Sequence, residues 1–356
     1  MYKVPQQAAR PEVCKGRRGI IGLEGKSSKA HLVMDEVKKV IIGKDGCVEK
    51  VMAAILAKGN VLLEDVPGVG KTEMALAFSR AMGLLCNRVQ FTPDVMPADI
   101  TGFSMYRKGE ERFVYHPGAA MCNLLLADEI NRTSPKTQSA LLEVMEEGSV
   151  TVDGVTRQVP KPFIVLATQN PVGSYGTQRL PEAQMDRFLI CISMGYPEPE
   201  DELRMLKSRQ GGRPLDSVKP VITGEELLTM QQEAEAVYIR DNVYRYMVLL
   251  SGATREHELL DLGMSPRGTL ALGKMARAYA YLAGRTYVIP GDVKSAFADV
   301  SIHRIRLNQK ARIDGLDAEA VLGDVLRQVK EPRTGERGEK ASGRAERGLS
   351  RAAGQW

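Results

Sequence analysis

The stretch that most constrains the fold is NVLLEDVPGVGKT, residues 60–72. Residues 60–64 place three aliphatic side chains after one polar residue and predict a short buried strand. Residues 64–70 break into a Pro/Gly-rich turn, and Lys71-Thr72 opens the helix-forming run EMALAFSRAM. Strand, glycine-rich loop and helix in that order are the context that a phosphate-binding loop requires. The backbone N–H groups of such a loop converge on one concavity, and the helix N-terminus adds partial positive charge. Asp65, Val66, Pro67, Gly68, Val69, Gly70, Lys71, Thr72 and Glu73 then form the predicted cradle. Lys71 would reach the outer phosphates of a nucleotide, and the Thr72 hydroxyl would ligate Mg²⁺. The usual pattern, Gly-x-x-x-x-Gly-Lys-Ser/Thr, has glycine where this chain has Asp65. Gly68 and Gly70 keep the loop free to visit positive φ, while Pro67 stiffens it. A plain turn with a helix-capping lysine would use the same residues.

A second apolar run, NLLLA, ends in Asp128-Glu129. Residues 123–127 are apolar on both faces, as in a parallel sheet covered by helices. Paired carboxylates at the C-terminal end of such a strand sit where open α/β sheets bind ligands. Asp128 can support Mg²⁺ through its water shell, and Glu129 can polarise an attacking water. Residues 163–167 predict another strand, and Asn170 just beyond it could orient that water; loop structure is its alternative reading. Before the loop, residues 31–42 and 48–58 read as helices, the second capped by Gly59. Ile42-Gly43 interrupts between them and could lie against a nucleotide base or serve as a packing turn.

The remaining pattern describes an α/β unit with two insertions and a helical sequel. Residues 72–84 predict the first core helix and 86–91 the second strand. Short extended pieces at 101–106 and 112–115 predict a hairpin turning at Lys108-Gly109. A helix at 135–147 is followed by a second hairpin at 149–159, turning at Asp153-Gly154. Residues 173–176 read as flexible, 181–185 as a short helix and 188–192 as the last strand. Gly195-Tyr196-Pro197 marks a boundary. Beyond it, 200–208, 223–234, 242–253, 265–283 and 291–307 predict helices, with a last apolar patch at 318–329. The expected domains are an irregular arm over 1–30, a nucleotide-binding core over 31–196, a helical lid over 197–329 and a disordered basic and polar tail over 330–356.

Composition narrows the function. At 356 residues, 43% hydrophobic and 26% charged, the chain has the make-up of a soluble globular protein with a sizeable core. No long apolar run suggests export or membrane insertion, so a cytoplasmic protein is expected. Five scattered cysteines fit reduced thiols rather than disulfides or a metal cluster. The net charge of +5 owes much to the tail and does not call for nucleic acid.

Five segments, LLEDVPGVGKT, LLLADEINRTSPKTQSALLEVMEEG, ATQNP, LPEAQMDRF and SPRG, occur in an order and spacing that resembles the MoxR family of AAA+ ATPases. This branch also holds magnesium-chelatase motor subunits, and Asp65 is a familiar variant of the loop glycine in it. The resemblance spans residues 35–329. It implies an AAA+ P-loop core with a parallel sheet and an all-helical lid, binding ATP and Mg²⁺. Lys71 and Thr72 would bind phosphates and metal, Asp128 would support the metal, and Glu129 would activate water. Asn170 would be the sensor on the fourth core strand and Arg267 the sensor arginine of the lid. Arg187 would be the finger entering a neighbouring subunit's site, with Arg132 a second interfacial arginine. The resemblance further implies a nucleotide-dependent ring, most simply a hexamer, that remodels a protein client. A partner with a von Willebrand factor A domain is common in the family. The hairpin at 149–159 carries only Arg157 as a basic residue, which argues against a nucleic-acid motor.

Overall fold

The parallel sheet predicted by the apolar runs is present in the computed structural model, which describes residues 21–66, 68–109, 111–170, 180–209 and 212–332. For residues 21–27 it describes the backbone alone. The core runs α1 (Ile21–Lys38), α2 (Asp45–Leu56), β1 (Val61–Glu64), α3 (Lys71–Ala81), β2 (Cys86–Gln90), α4 (Pro97–Thr101), β3 (Gly102–Arg107) and β4 (Arg112–Pro117). It continues through β5 (Leu124–Asp128), α5 (Pro135–Glu147), β6 (Ser149–Val152), β7 (Val155–Gln158), β8 (Ile164–Gln169), α6 (Glu182–Met185) and β9 (Ile190–Ile192). The lid comprises α7 (Pro199–Ser208), α8 (Gly224–Glu235), α9 (Asp241–Glu256), β10 (Leu260–Leu262), α10 (Pro266–Leu282) and α11 (Pro290–Ser301). It closes with β11 (Arg306–Leu307), α12 (Gln309–Ile313) and α13 (Ala318–Gln328).

Among the described residues, five strands form one sheet in the order β2-β5-β8-β1-β9, with every pairing parallel. Side-chain alternation splits its strands between two apolar layers. Val61, Leu63, Leu124, Leu126, Ile164 and Leu166 face α1–α3, whereas Leu62, Leu125, Ala127, Val165 and Ala167 face α4, α5 and the hairpin bases. The first layer does not stop at the boundary near residue 196. It runs without a break into Leu227, Tyr246, Leu272, Tyr281 and Phe297 of the lid, so core and lid share one apolar cluster. The register aligns Glu64 with Gln169 and Gln90 with Asp128, bringing the C-terminal strand ends to one edge.

Both predicted hairpins form, as β3–β4 and β6–β7. Asp153 and Gly154 take φ of 53° and 73°, the left-handed pair of a type I′ turn. The two hairpins touch each other, because the Arg157 guanidinium of β7 lies 4.0 Å over the Tyr115 ring of β4. The four described cysteines are free thiols, and burial pushes that of Cys122 up to about 12. No helix among the described residues is long and apolar enough to cross a membrane.

Several boundaries differ from the expected ones. The chain is already helical at Ile21, inside the expected arm; residues 1–20, Pro67, 171–179 (with the expected flexible 173–176) and the tail from 333 lie outside the described residues. α1 ends at Lys38, short of Ile42, because Ile41 turns into the core and Gly43 takes φ +75°. The one-turn α4 was not expected; it starts with Pro97 at its first position, and the Asp99 carboxylate accepts from Met96 N. One turn is too short to show periodicity. α12, capped by Asn308, escaped for the same reason. The helix expected over 291–307 stops at Ser301, after which β11 pairs antiparallel with β10, so the lid is not wholly helical. That pairing joins segments distant in sequence, which local pattern does not reveal.

Gly59 is not the left-handed cap; Lys58 takes that conformation, at φ 55°. Gly59 is instead small because Leu189 packs onto it: a Cβ there would lie 2.1 Å from Leu189 Cδ2. Gly59→Ala should therefore destabilise the fold by about 1–3 kcal/mol through overpacking. Chemical denaturation would read this, and unchanged stability would show that Leu189 yields without cost.

Candidate functional site

The phosphate-loop geometry follows from its two described glycines. Gly68 and Gly70 take φ of 92° and 98°, and Gly70 caps the start of α3. A Cβ at Gly68 would meet nothing within 4 Å among the described residues. Lys71 is buried, and its Nζ donates to the Asp65 carbonyl at 2.7 Å. Burial pulls the ammonium below the usual lysine range, while the carboxylates of Asp65, Asp128 and Glu129 act the other way. Thr72 and Glu73 stand half-buried on the first turn of α3. Val69 packs against the main apolar cluster, and Val66 is half-buried.

Asp65 explains its own departure from glycine. Its Oδ2 accepts from Met194 N at 2.6 Å, and its Oδ1 accepts from Ser193 Oγ at 2.7 Å and Gly195 N at 3.1 Å. The carboxylate thus binds the segment leaving β9, and only its main chain belongs to the loop. The turn at Ile42-Gly43 meets the same segment and the lid. Lys44 Nζ donates to the Tyr196 carbonyl at 2.7 Å, and the Asp201 carboxyl of α7 lies where a Gly43 Cβ would be.

The acidic pair is ordered by a residue that sequence reasoning passed over. Thr168, in β8, donates from Oγ1 to Asp128 Oδ1 at 2.6 Å and accepts from Glu129 N at 2.8 Å. Arg88 of β2 donates to Asp128 Oδ2 at 2.7 Å. Glu129 sits at φ 57°, and its carboxylate is gripped on both oxygens. Asn170 Nδ2 donates to Oε1 at 3.0 Å, and Arg132 Nη1 donates to Oε2 at 2.7 Å. Burial acts to raise the Glu129 pKa, but these two hydrogen bonds outweigh it and hold the carboxyl below its usual range. Asn131 exchanges hydrogen bonds with the Asn170 backbone, and the buried Asn170 Oδ1 has no hydrogen-bond partner among the described residues. The run ATQNP was the available signal for Thr168; nothing local marks Arg88.

The remaining arginines lie apart from this cluster. Arg187 Nη1 pairs with Glu146 Oε2 at 3.1 Å, and Arg267 Nη2 donates to Glu146 Oε1 at 2.5 Å. Arg267, expected as the sensor arginine of the lid, meets the C-terminal turn of α5 within its own chain. The reason is Ser265, which caps α10 and donates to Asp186, setting the start of α10 there. Arg132, expected at an interface, is bonded to Glu129 of its own chain.

These features agree with the comparisons. Residues 60–190 match the model of the ATPase family associated with various cellular activities, and residues 252–325 match an AAA lid domain. The uncharacterized protein YeaC of Bacillus subtilis is 48% identical over 299 residues, 84% of this chain and 93% of that one. Chaperone MoxR1 of Mycobacterium tuberculosis is 42% identical, covering 87% and 85%; protein MoxR of Methylorubrum extorquens is 30% identical, covering 76% and 86%. A Cytophaga hutchinsonii crystal structure, described as an ATPase, superposes with a TM-score of 0.81 at 35% identity, covering 87% of this chain and 97% of that one. By sequence, sheet order and loop geometry together, this chain belongs to the MoxR family of AAA+ ATPases.

Proposed function

We propose that the protein hydrolyses ATP with Mg²⁺ and uses the cycle to remodel or mature a protein partner. The observation carrying this is Glu129, a carboxylate held ionised between Asn170 and Arg132 at the strand edge that also carries Lys71 and Asp128. The donor set fits the metal: the Thr72 hydroxyl and Asp128 carboxylate are hard oxygens, and Mg²⁺ takes few protein ligands alongside phosphates and water. When bound, the ion neutralises charge developing on the phosphate oxygens. Lys71 would exchange the Asp65 carbonyl for the outer phosphates. Glu129 would accept a hydrogen bond from the attacking water, and Asn170 Oδ1, without a partner among the described residues, would fix that water's orientation. Attack at the γ-phosphorus releases ADP and phosphate.

Arg187 and Arg267, partly exposed and sharing one carboxylate, are read as groups for a neighbouring subunit's γ-phosphate. A ring, taken as a hexamer, follows from that reading. The exposed Phe103, Met105, Tyr106 and Phe113 of β3–β4 favour a protein client over nucleic acid. A von Willebrand factor A partner and a cytoplasmic setting belong to the same reading.

Lys71→Ala should weaken ATP binding at least about tenfold, the loss of one charged phosphate contact; titration with a fluorescent ATP analogue reads it. Glu129→Gln should keep ATP and accumulate the ring, and rapid turnover would remove Glu129 from the mechanism. Arg132→Ala removes a group that lowers the Glu129 pKa, so the acidic limb of the kcat–pH profile should move to higher pH. Arg187→Ala should lose turnover and regain part of it when mixed with Glu129→Gln, whose intact arginines serve the neighbouring site.

A further inference from the structure

Arg304, just beyond α11, has a side chain only 2% exposed, yet it carries a charge. Its Nε donates to Asp186 Oδ1 at 2.6 Å, and the guanidinium also donates to the carbonyls of Asp186, Phe188, Leu189 and Val300. Those first three carbonyls bracket Arg187, so the guanidinium fixes the backbone on either side of it. Asp186 accepts on its other side from Ser265 Oγ, at 2.9 and 3.1 Å. Ser265 in turn accepts from Gly268 N at 3.1 Å and so sets the first turn of α10, which bears Arg267. Gly268 leaves room for the Arg304 stem: a Cβ there would lie 2.7 Å from Arg304 Cδ.

A buried guanidinium is costly unless its donors are satisfied, and an apolar side chain would bolt lid to core at least as well. What the charged network adds is direction. It spans the residue before Arg187 and the residue two before Arg267, and it aims both toward Glu146. We propose that Asp186 and Arg304 are positioning residues for the two arginines, making lid and finger one rigid unit that addresses the neighbouring subunit's nucleotide. This rests on the reading that Arg187 acts in trans.

Asp186→Asn tests it, since the change keeps the side chain's size and leaves the subunit's own Lys71, Asp128 and Glu129 intact. ATP affinity should stay within about twofold, while kcat should fall about 10- to 100-fold, the usual effect of misplacing a reacting group. Mixing with Glu129→Gln should restore turnover, because the Glu129→Gln subunits present well-placed arginines to the intact hydrolytic site of the variant. Mixing with Arg187→Ala should not. Ser265→Ala, a milder change, should show a smaller kcat loss with the same rescue, and it serves if Asp186→Asn does not fold. Wild-type kcat in Asp186→Asn, or a loss that Glu129→Gln does not rescue while Arg187→Ala is rescued, overturns the proposal. If Arg187→Ala is not rescued either, the trans reading itself fails and the proposal falls with it.

Discussion

One carboxylate joins the glycine-rich loop to the segment that leads from β9 toward the lid. Asp65 occupies a loop position where glycine is usual, and its negative charge would oppose a polyphosphate if it faced the cradle. It faces the other way, satisfied by two backbone N–H groups and a serine hydroxyl just past β9. Charge-assisted hydrogen bonds of this kind are among the stronger ones in proteins, and the buried Met194 N–H would be left unmet without it. The same residue's carbonyl receives Lys71. The lysine's contact and the contact with the segment leading to α7 therefore meet in one residue.

The lid is tied in more than one way. Its helices share an apolar cluster with α1 and α2, so a large separation of lid from core would expose buried surface at about 25 cal/mol per Å². Arg304 pins the far end of α11 to the carbonyls before β9.

The sequence made the local parts of this arrangement plain and hid the distant ones. The strand–loop–helix run, the Asp128-Glu129 pair and the Asp153-Gly154 turn are each specified by neighbouring residues, and each appears where its pattern put it. Thr168 holds Asp128 across 40 positions, and Asp65 reaches residues 193–195 only because β1 and β9 are adjacent in the sheet. No periodicity encodes such pairings. Gly59 shows a subtler failure: a glycine at a helix end suggests a left-handed cap, but steric approach of Leu189 selected it instead. The contact of Arg267 with Glu146 was hidden for a related reason, since the capping of α10 by Ser265 is local but the partner Asp186 is not.

The separation of the two charged clusters has an energetic reading. Arg187 and Arg267 share the Glu146 carboxylate, and both are partly exposed. Exposed ion pairs contribute about 0–1 kcal/mol, so the pair does little to hold the fold together. Arg304, buried a short distance away, is fully engaged in hydrogen bonds and structural. Two arginines that add little stability, mounted on a third that fixes their direction, are poorly explained by folding alone. On the proposed reading, the anionic group these arginines address is a neighbouring subunit's triphosphate.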